Sequence, residues 1–363
     1  MLDVSLRDLH FRYKEGFVLS GITLDFPRST HTALTGMPGC GASTLLTLIA
    51  GSLRPSSGDV ILGQRRINEL RAAQRPMLHV TAAIDVPLRW TVQHVLVAAV
   101  RSRSLDREDR HREYMLASEK WQLVPLLDRP LRTLSGTEAA RVHFARIELL
   151  RPAILLADRL LERVSVAAAV SLADEFFRTL RVHGTTVISA PSTPAELGVT
   201  DSIVILDGGR VVQTGTAAEV FGSPQSEAAA AATGEFSTIP VTIDGTTVSS
   251  AIGSWEIPAP PFQGSGVALV RPADFTPAAR GEDSDLIFGI EEAGFSDGRW
   301  SASGMLTGGL SLRVSLPRKI DVHKGKLLAL RYDPSRFSLL PREYETASSS
   351  ASVGVVPPRS ETR

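Results

Sequence analysis

The sequence has very little cysteine and no excess of either charge. Cys40 is the single cysteine among 363 residues, which excludes an internal disulfide framework and fits a reducing compartment. The 39 basic and 39 acidic side chains cancel. A balanced charge gives no electrostatic reason to expect binding to the phosphates of nucleic acid, so we expect no nucleic-acid partner.

Long apolar runs and lysine are also scarce. The first eleven residues contain three charged side chains, so they lack the uninterrupted apolar core of a secretory signal. The most apolar long stretch, residues 147–161, is interrupted by four charged side chains and is too short to span a bilayer. Only five residues are lysine, so arginine supplies 34 of the 39 basic side chains.

Short β-branched runs alternate with longer amphipathic segments from Val4 to Gly222, which predicts an α/β domain. Buried strands are expected at residues 31–35, 153–157, 185–190 and 202–206, and helices at about 43–50 and 166–180. The segment Asp207-Gly208-Gly209-Arg210 predicts a tight hairpin.

The remaining residues differ in character along the chain. The segment of about residues 87–150 is rich in helix formers and predicts a helical subdomain within a first domain at 1–222. Small residues at 226–234 predict a linker, placed at 223–237. Alternating strands with glycine-rich turns predict a small β-barrel over 238–340. Residues 341–363 lack periodicity and are expected to be disordered.

A glycine-rich loop follows the first predicted strand. Residues 36–44 fit the phosphate-loop pattern Gly-x-x-x-x-Gly-Lys-Ser/Thr, with alanine at the lysine position. Glycines let the backbone curl so that its N–H groups point inward, and a helix N-terminus adds a positive dipole end. The candidate nucleotide-binding residues are therefore Gly36, Gly39, Gly41, Ala42, Ser43 and Thr44.

The missing lysine removes a positive charge from this phosphate-binding loop. A charge-assisted contact to phosphate is worth ~1.5–3 kcal/mol, or about 10- to 100-fold in affinity. A chain that prefers arginine to lysine would supply arginine here, yet position 42 is alanine. The charge was therefore lost rather than exchanged.

The chain resembles the ATP-binding subunit of an ABC transporter, of the importer class in which a TOBE-type β-barrel follows the ATPase core. The resemblance covers roughly residues 1–340 and rests on motifs that occur in the family's order. These are Tyr13, where the family has an aromatic that stacks on adenine; the phosphate loop; Leu134-Ser135-Gly136-Thr137-Glu138, similar to the Leu-Ser-Gly-Gly-Gln signature; residues 154–158, similar to the Walker B strand; and residues 267–272 and 331–334 in the barrel. The resemblance implies ATP and Mg²⁺ as ligands, with Ser43 and Asp158 at the metal.

Several of the family's catalytic positions hold other residues in this chain. Arg159 occupies the position of the catalytic glutamate, and Ser192 that of the switch histidine. Ala82 occupies the position of the Q-loop glutamine, and Ser165 that of the D-loop aspartate. Because a carboxylate that positions water has become a cation, the resemblance implies a site that binds ATP weakly or not at all and does not hydrolyse it.

The family's subunits sandwich ATP head to tail, so this chain's signature would serve its partner's site. Ser135 and Gly136 persist there, whereas Thr137 and Glu138 depart from the pattern, and Thr137 is expected to strain a loop that favours glycine. The resemblance implies a catalytically degenerate subunit paired with an intact ATPase paralogue and with membrane permeases, on the inner face of the cell membrane. A substrate-binding protein would be an indirect partner.

Arg159 has two interpretations. A guanidinium at the end of Walker B could hold the γ-phosphate in place of the lost lysine. An ion pair with the adjacent Asp158 is the favoured alternative.

Two other functions stay open at this stage. One is an ABC-fold regulatory or scaffold protein without a transport role. The other is a slow ATPase that uses unconventional residues. The transported solute cannot be read from this chain.

Overall fold

The computed structural model describes residues 3–14, 16, 18–278, 286–296, 298–306 and 309–342. The expected tail at 341–363 lies outside this set apart from its first two residues. The chain divides into two compact units, residues 1–236 and 237–363. Within the described residues, no helix is both long and apolar enough to cross a membrane.

The first unit combines two β-sheets with helices. Its strands are β1 (Val4–Arg12), β2 (Val18–Phe26), β3 (His31–Gly36), β4 (Ser57–Leu62), β5 (Arg65–Arg66), β6 (Leu78–Thr81), β7 (Ile154–Asp158), β8 (Thr186–Ala190), β9 (Ser202–Asp207) and β10 (Arg210–Gly215). Its α-helices are α1 (Ala42–Ala50), α2 (Val92–Arg101), α3 (Arg107–Lys120), α4 (Gly136–Leu150), α5 (Val166–Val182), α6 (Ala217–Gly222) and α7 (Glu227–Thr233). The predicted strands and helices of the core are present, within a residue or two at each end.

The larger sheet has the strand order β10-β9-β3-β8-β7-β6, in which only β10 is antiparallel to its neighbour. Alternate side chains of β7 point to opposite faces of this sheet. Leu155 and Ala157 enter the apolar cluster formed with α4 and α5, and Ile154 and Leu156 enter the cluster formed with α1. Asp158 therefore lies at the carboxyl end of β7, on the face that α1 covers.

The smaller sheet, in the order β2-β1-β4-β5, is antiparallel and packs its apolar residues into the α1 cluster. The predicted hairpin joins β9 to β10 through Gly208 and Gly209, which have φ values of 51° and 76°. Two consecutive residues in this left-handed region are the signature of a tight hairpin turn, and glycine adopts them without strain.

The expected linker at 226–234 is wrong, because most of it is helix α7. Alanine is the best helix former, and the hydroxyl of Ser226 accepts a hydrogen bond from the Ala229 N–H at the helix start. Ala229 and Ala232 are buried against Ile203 and Ile205 of β9. The small side chains thus allow close packing rather than flexibility.

The second unit is a nearly closed β-barrel, consistent with the expected OB/TOBE-like domain. Its strands are β11 (Ser237–Asp244), β12 (Thr247–Ser250), β13 (Gly253–Glu256), β14 (Gly264–Val270), β15 (Phe275–Pro277), β16 (Leu286–Ser296), β17 (Arg299–Leu306), β18 (Ser311–Pro317), β19 (Leu327–Tyr332) and β20 (Ser338–Pro341). They form two antiparallel sheets, β13-β12-β11-β14-β20 and β15-β19-β16-β17-β18, around one apolar core.

Candidate functional site

The phosphate loop runs from the carboxyl end of β3 to the start of α1. Gly39 and Gly41 have φ values of 87° and 103°, a region that side chains with a Cβ rarely adopt. A Cβ on Gly36 would lie 2.0 Å from the carbonyl oxygen of Leu206. Gly41 precedes α1 without any side-chain cap, so the first amides of the helix are left for another acceptor. This backbone fits an anion.

Ser43 and Asp158 meet next to this loop. The Ser43 hydroxyl donates a hydrogen bond of 2.8 Å to Oδ1 of Asp158. Hydroxyl and carboxylate oxygens are hard ligands of the kind that Mg²⁺ prefers. The two residues expected at the metal are therefore brought together, and their donor set fits Mg²⁺.

Ala42 contributes only a methyl group to the loop. It packs against the apolar cluster beneath α1. Thr44 lies in the same first turn of the helix. The loop therefore keeps its backbone N–H donors and the hydrogen-bonded Ser43–Asp158 pair, and it has no charged side chain at position 42.

Arg159 follows Asp158 but does not pair with it, so the expected ion pair between these neighbours is wrong. Nη2 of Arg159 lies 3.0 Å from Oε1 of Glu162, and the Arg159 side chain is about half exposed. Its backbone has a φ of 49°, and its N–H donates to the carbonyl of Ala190 at 2.8 Å. This left-handed backbone redirects the chain after β7, so that Glu162 becomes the partner of Arg159.

The loop after β8 is held by a buried carboxylate that the sequence analysis missed. Oε1 of Glu196 accepts hydrogen bonds from the N–H groups of Ser192 and Thr193, both at 2.9 Å. Glu196 is 5% exposed, and burial raises its pKa. The Ser192 hydroxyl is buried and has no hydrogen-bond partner among the described residues. The sequence signal for these hydrogen bonds of Glu196 is the Thr-x-x-Glu capping pattern at 193–196.

Ala82 and Ser165 lie at the ends of two core elements. Ala82 follows β6 directly, and Ser165 precedes α5 as its N-cap without a side-chain hydrogen bond to the helix. Neither side chain carries the amide or the carboxylate that the resemblance leads us to expect at these positions.

A pocket of about 430 Å³ opens beside the first half of the phosphate loop. It is lined by Gly16, Val18, Met37, Pro38, Gly39, Cys40, Asp207 and Gly208. Burial raises the pKa of the Cys40 thiol. Tyr13 lies just beyond the end of β1, is 40% exposed, and contacts Phe11 edge to face at 4.7 Å between ring centroids. Its exposure leaves ring surface available for stacking.

The signature residues begin α4. Oε2 of Glu138 accepts a hydrogen bond of 2.7 Å from the Ser135 N–H, and the Ser135 hydroxyl accepts one of 3.3 Å from the Glu138 N–H. A Cβ on Gly136 would lie 2.1 Å from the carbonyl oxygen of Arg163, so glycine is needed at this contact. Thr137 lies within the helix, and the strain expected at this residue is therefore wrong.

This first unit has the fold of a P-loop ATPase of the ABC type. Residues 19–161 match the family model for ABC transporters. The solved structure of cbiO1 from Clostridium perfringens, part of an ABC transporter complex, is similar with a TM-score of 0.53 and 24% identity, over 60% of this chain and 90% of that one. The ATP-binding cassette MJ1267 is similar with a TM-score of 0.54 and 19% identity, over 65% of this chain and 100% of that one.

Curated relatives extend the likeness to importer subunits. The sn-glycerol-3-phosphate import ATP-binding protein UgpC of Rhizobium meliloti (strain 1021) is 29% identical over 76% of this chain and 79% of its own length. UgpC 3 of Agrobacterium fabrum is 25% identical over 93% of this chain and 98% of its own length. The maltose/maltodextrin import ATP-binding protein MalK of Shigella flexneri is 29% identical over 72% of this chain and 70% of its own length. The chain thus contains an ABC transporter ATPase domain and is homologous to these import ATP-binding subunits.

Proposed function

We propose that the chain is a hydrolysis-deficient ATP-binding-type subunit of an ABC importer, which works with an intact ATPase paralogue. One observation carries this proposal. The phosphate loop and the Ser43–Asp158 pair keep the geometry of a Mg-nucleotide site, whereas the lysine and glutamate positions hold Ala42 and Arg159. The cradle is preserved and the catalytic groups are not.

The substituted residues explain why this site does not turn over. Without lysine, nucleotide affinity falls by about 10- to 100-fold. Arg159 is cationic and pairs with Glu162, so it does not accept a proton from an attacking water. Ser192 has a short side chain whose hydroxyl is buried, in a loop fastened by Glu196. Each substitution therefore removes a charged group, or a side chain long enough to contact the γ-phosphate or the attacking water.

The groups that remain in this site are those that would bind the nucleotide and its metal ion. Ser43 and Asp158 would hold Mg²⁺, which neutralises phosphate charge when bound. The uncapped N-terminus of α1 and the glycine-rich turn would receive phosphate oxygens. Tyr13 offers an exposed ring face for the base. We propose that this site holds ATP weakly, with no role in turnover.

The likeness to import subunits supports a proposal for the partners. We propose a heterodimer with an intact ATPase, in which Ser135 and Gly136 face the partner's phosphate loop, bound to membrane permeases at the inner face of the cell membrane. A substrate-binding protein would deliver the solute to the permeases. The relatives' names favour a sugar or a polyol phosphate as the class of solute.

Co-expression with the intact ABC ATPase encoded nearest to this gene tests the proposal. The chain alone should hydrolyse no ATP, and its addition should change the partner's turnover. Ser135→Arg in this chain should silence that turnover, whereas Ser226→Arg, at the start of α7, should not. A soluble homodimer that ignores the ATPase and the permeases would instead favour a regulatory scaffold.

A further inference from the structure

The start of α4 carries a negative charge supplied by the chain itself. The Glu138 carboxylate accepts the Ser135 N–H at 2.7 Å through Oε2. Nη1 of Arg129 donates to its other oxygen, Oε1, at 3.2 Å. The backbone and side-chain hydrogen bonds of Ser135 lower the pKa of Glu138, so the group is ionised at neutral pH. Its side chain is 28% exposed, so the carboxylate is partly accessible to solvent.

We propose that Glu138 weakens the binding of nucleotide phosphate to the signature residues of this chain. The inference rests on the proposed function, in which Ser135 faces the phosphate loop of the paired ATPase. A phosphate bound to the Ser135 hydroxyl would lie within about 6 Å of a carboxylate that already holds the Ser135 N–H. Two like charges at that separation near a protein surface repel strongly enough to reduce affinity on the order of 10- to 100-fold.

Arg129 fixes the position of this charge and offsets part of it. Its guanidinium donates to the carbonyl of Thr133 as well as to Glu138, so it ties the carboxylate to the loop before α4. Because the cation is shared between these acceptors and is 41% exposed, it screens the carboxylate only partly. The expected effect is therefore at the lower end, about tenfold.

The charge can be removed without removing the helix cap. Glutamine serves as well as glutamate at the third position of a capping box, so Glu138→Gln keeps the hydrogen bond to the Ser135 N–H. The chain offers a matched control at α6. There Glu219 accepts the Thr216 N–H at 2.7 Å, and the Glu219 N–H donates to the Thr216 hydroxyl at 3.4 Å. Glu219→Gln makes the same chemical change away from the signature.

The experiment uses the full chain with the lysine restored by Ala42→Lys. Two such chains can sandwich MgATP between the phosphate loop of one and the signature of the other, and Arg159 prevents its consumption. Analytical ultracentrifugation measures the MgATP concentration that gives half-maximal dimer. Glu138→Gln should lower that concentration about tenfold. Glu219→Gln should leave it within about twofold.

A midpoint unchanged by Glu138→Gln would overturn the inference. The inference would also be overturned if the Ala42→Lys chain failed to dimerise both with Glu138 in place and after Glu138→Gln. Removal of the charge would then not restore phosphate binding at the signature. Titration of the same Ala42→Lys chains with a fluorescent ATP analogue separates the two proposals. If the analogue does not bind even to the monomer, the nucleotide site itself and the proposed function fail too.

Discussion

The Ser43 hydroxyl and the Asp158 carboxylate are joined by a hydrogen bond of 2.8 Å, across 115 residues of sequence. The bond connects the first turn of α1 to the carboxyl end of β7. It holds two oxygen-bearing side chains together, and the neighbouring positions hold Ala42 and Arg159, where the resemblance to the family leads us to expect a lysine and a glutamate. Binding geometry and catalytic chemistry can therefore be tested separately in this chain.

Restoring the lysine should restore binding alone. Ala42→Lys should raise the affinity for MgATP by roughly 10- to 100-fold, because the ammonium adds a charge-assisted contact to phosphate. Hydrolysis should stay undetectable, since Arg159 and Ser192 are unchanged. Titration with a fluorescent ATP analogue and a phosphate-release assay measure the two quantities. Ala42→Gln, which adds length without charge, is the control; an equal gain from it would contradict the charge argument.

The Ser43–Asp158 pair should give nucleotide binding its dependence on Mg²⁺. In the Ala42→Lys chain, Ser43→Ala should reduce affinity for MgATP about tenfold and affinity for ATP in EDTA much less, because only the former uses the metal ligand. Thr47→Val is the matched control, since the Thr47 hydroxyl lies one turn on and bonds to the Ser43 carbonyl. Equal losses with and without Mg²⁺ would argue against a metal role for Ser43.

Arg75 should be essential for the stability of α1. Its guanidinium is buried and donates to four carbonyl groups, those of Leu48, Ile49, Ile67 and Leu70. Arg75→Ala would leave these acceptors unpaired and lower the free energy of unfolding by roughly 2–4 kcal/mol. Arg66→Ala removes an exposed ion pair with Asp59 and should change it by less than about 0.5 kcal/mol. Urea denaturation measures the free energy of unfolding of both variants. Similar losses in the two would contradict the role of Arg75 in stabilising α1.

Two buried histidines should make the fold acid-sensitive. Burial lowers the pKa of His31 and of His143 to about 3. The unfolded chain, with pKa values near 6.5, then binds more protons, so stability is complete above about pH 6.5 and falls between there and pH 3. The slope should approach ~1.4 kcal/mol per pH unit for each histidine.

Replacing one of these histidines should reduce that slope. Neither ring nitrogen of His143 has a hydrogen-bond partner among the described residues, so His143→Leu should flatten the pH dependence with little loss at pH 8. Urea denaturation at pH 5, 6.5 and 8 measures the slope. His111→Leu, on the exposed side of α3, should leave it unchanged. An unaltered slope in the His143 variant would contradict the prediction.

The sequence predicted the core elements because their apolar runs and glycine positions carry local signals. The phosphate loop, β7 and the β9–β10 hairpin are of this kind. Helix α7 is not predicted because a run of small residues is typical of linkers, although alanine favours helix and Ser226 supplies the cap. The fold class, an ABC-type core followed by a barrel, is confirmed.

The site was less predictable where a side chain's partner depends on tertiary structure. The left-handed backbone at Arg159 directs the chain so that Glu162, rather than the adjacent Asp158, becomes the ion-pair partner. The expected strain at Thr137 depended on a loop conformation that the capped helix α4 replaces. Local patterns locate such residues, and packing decides what they contact.

Turnover in a complex whose intact ATPase has a disabled phosphate loop tests the central claim most directly. The intact ATPase would be given an alanine at its own phosphate-loop lysine and assembled with this chain and the permeases. Phosphate release should then fall to background, because this chain contributes no working site. Residual ATP hydrolysis that Asp158→Ala in this chain abolishes would contradict the account.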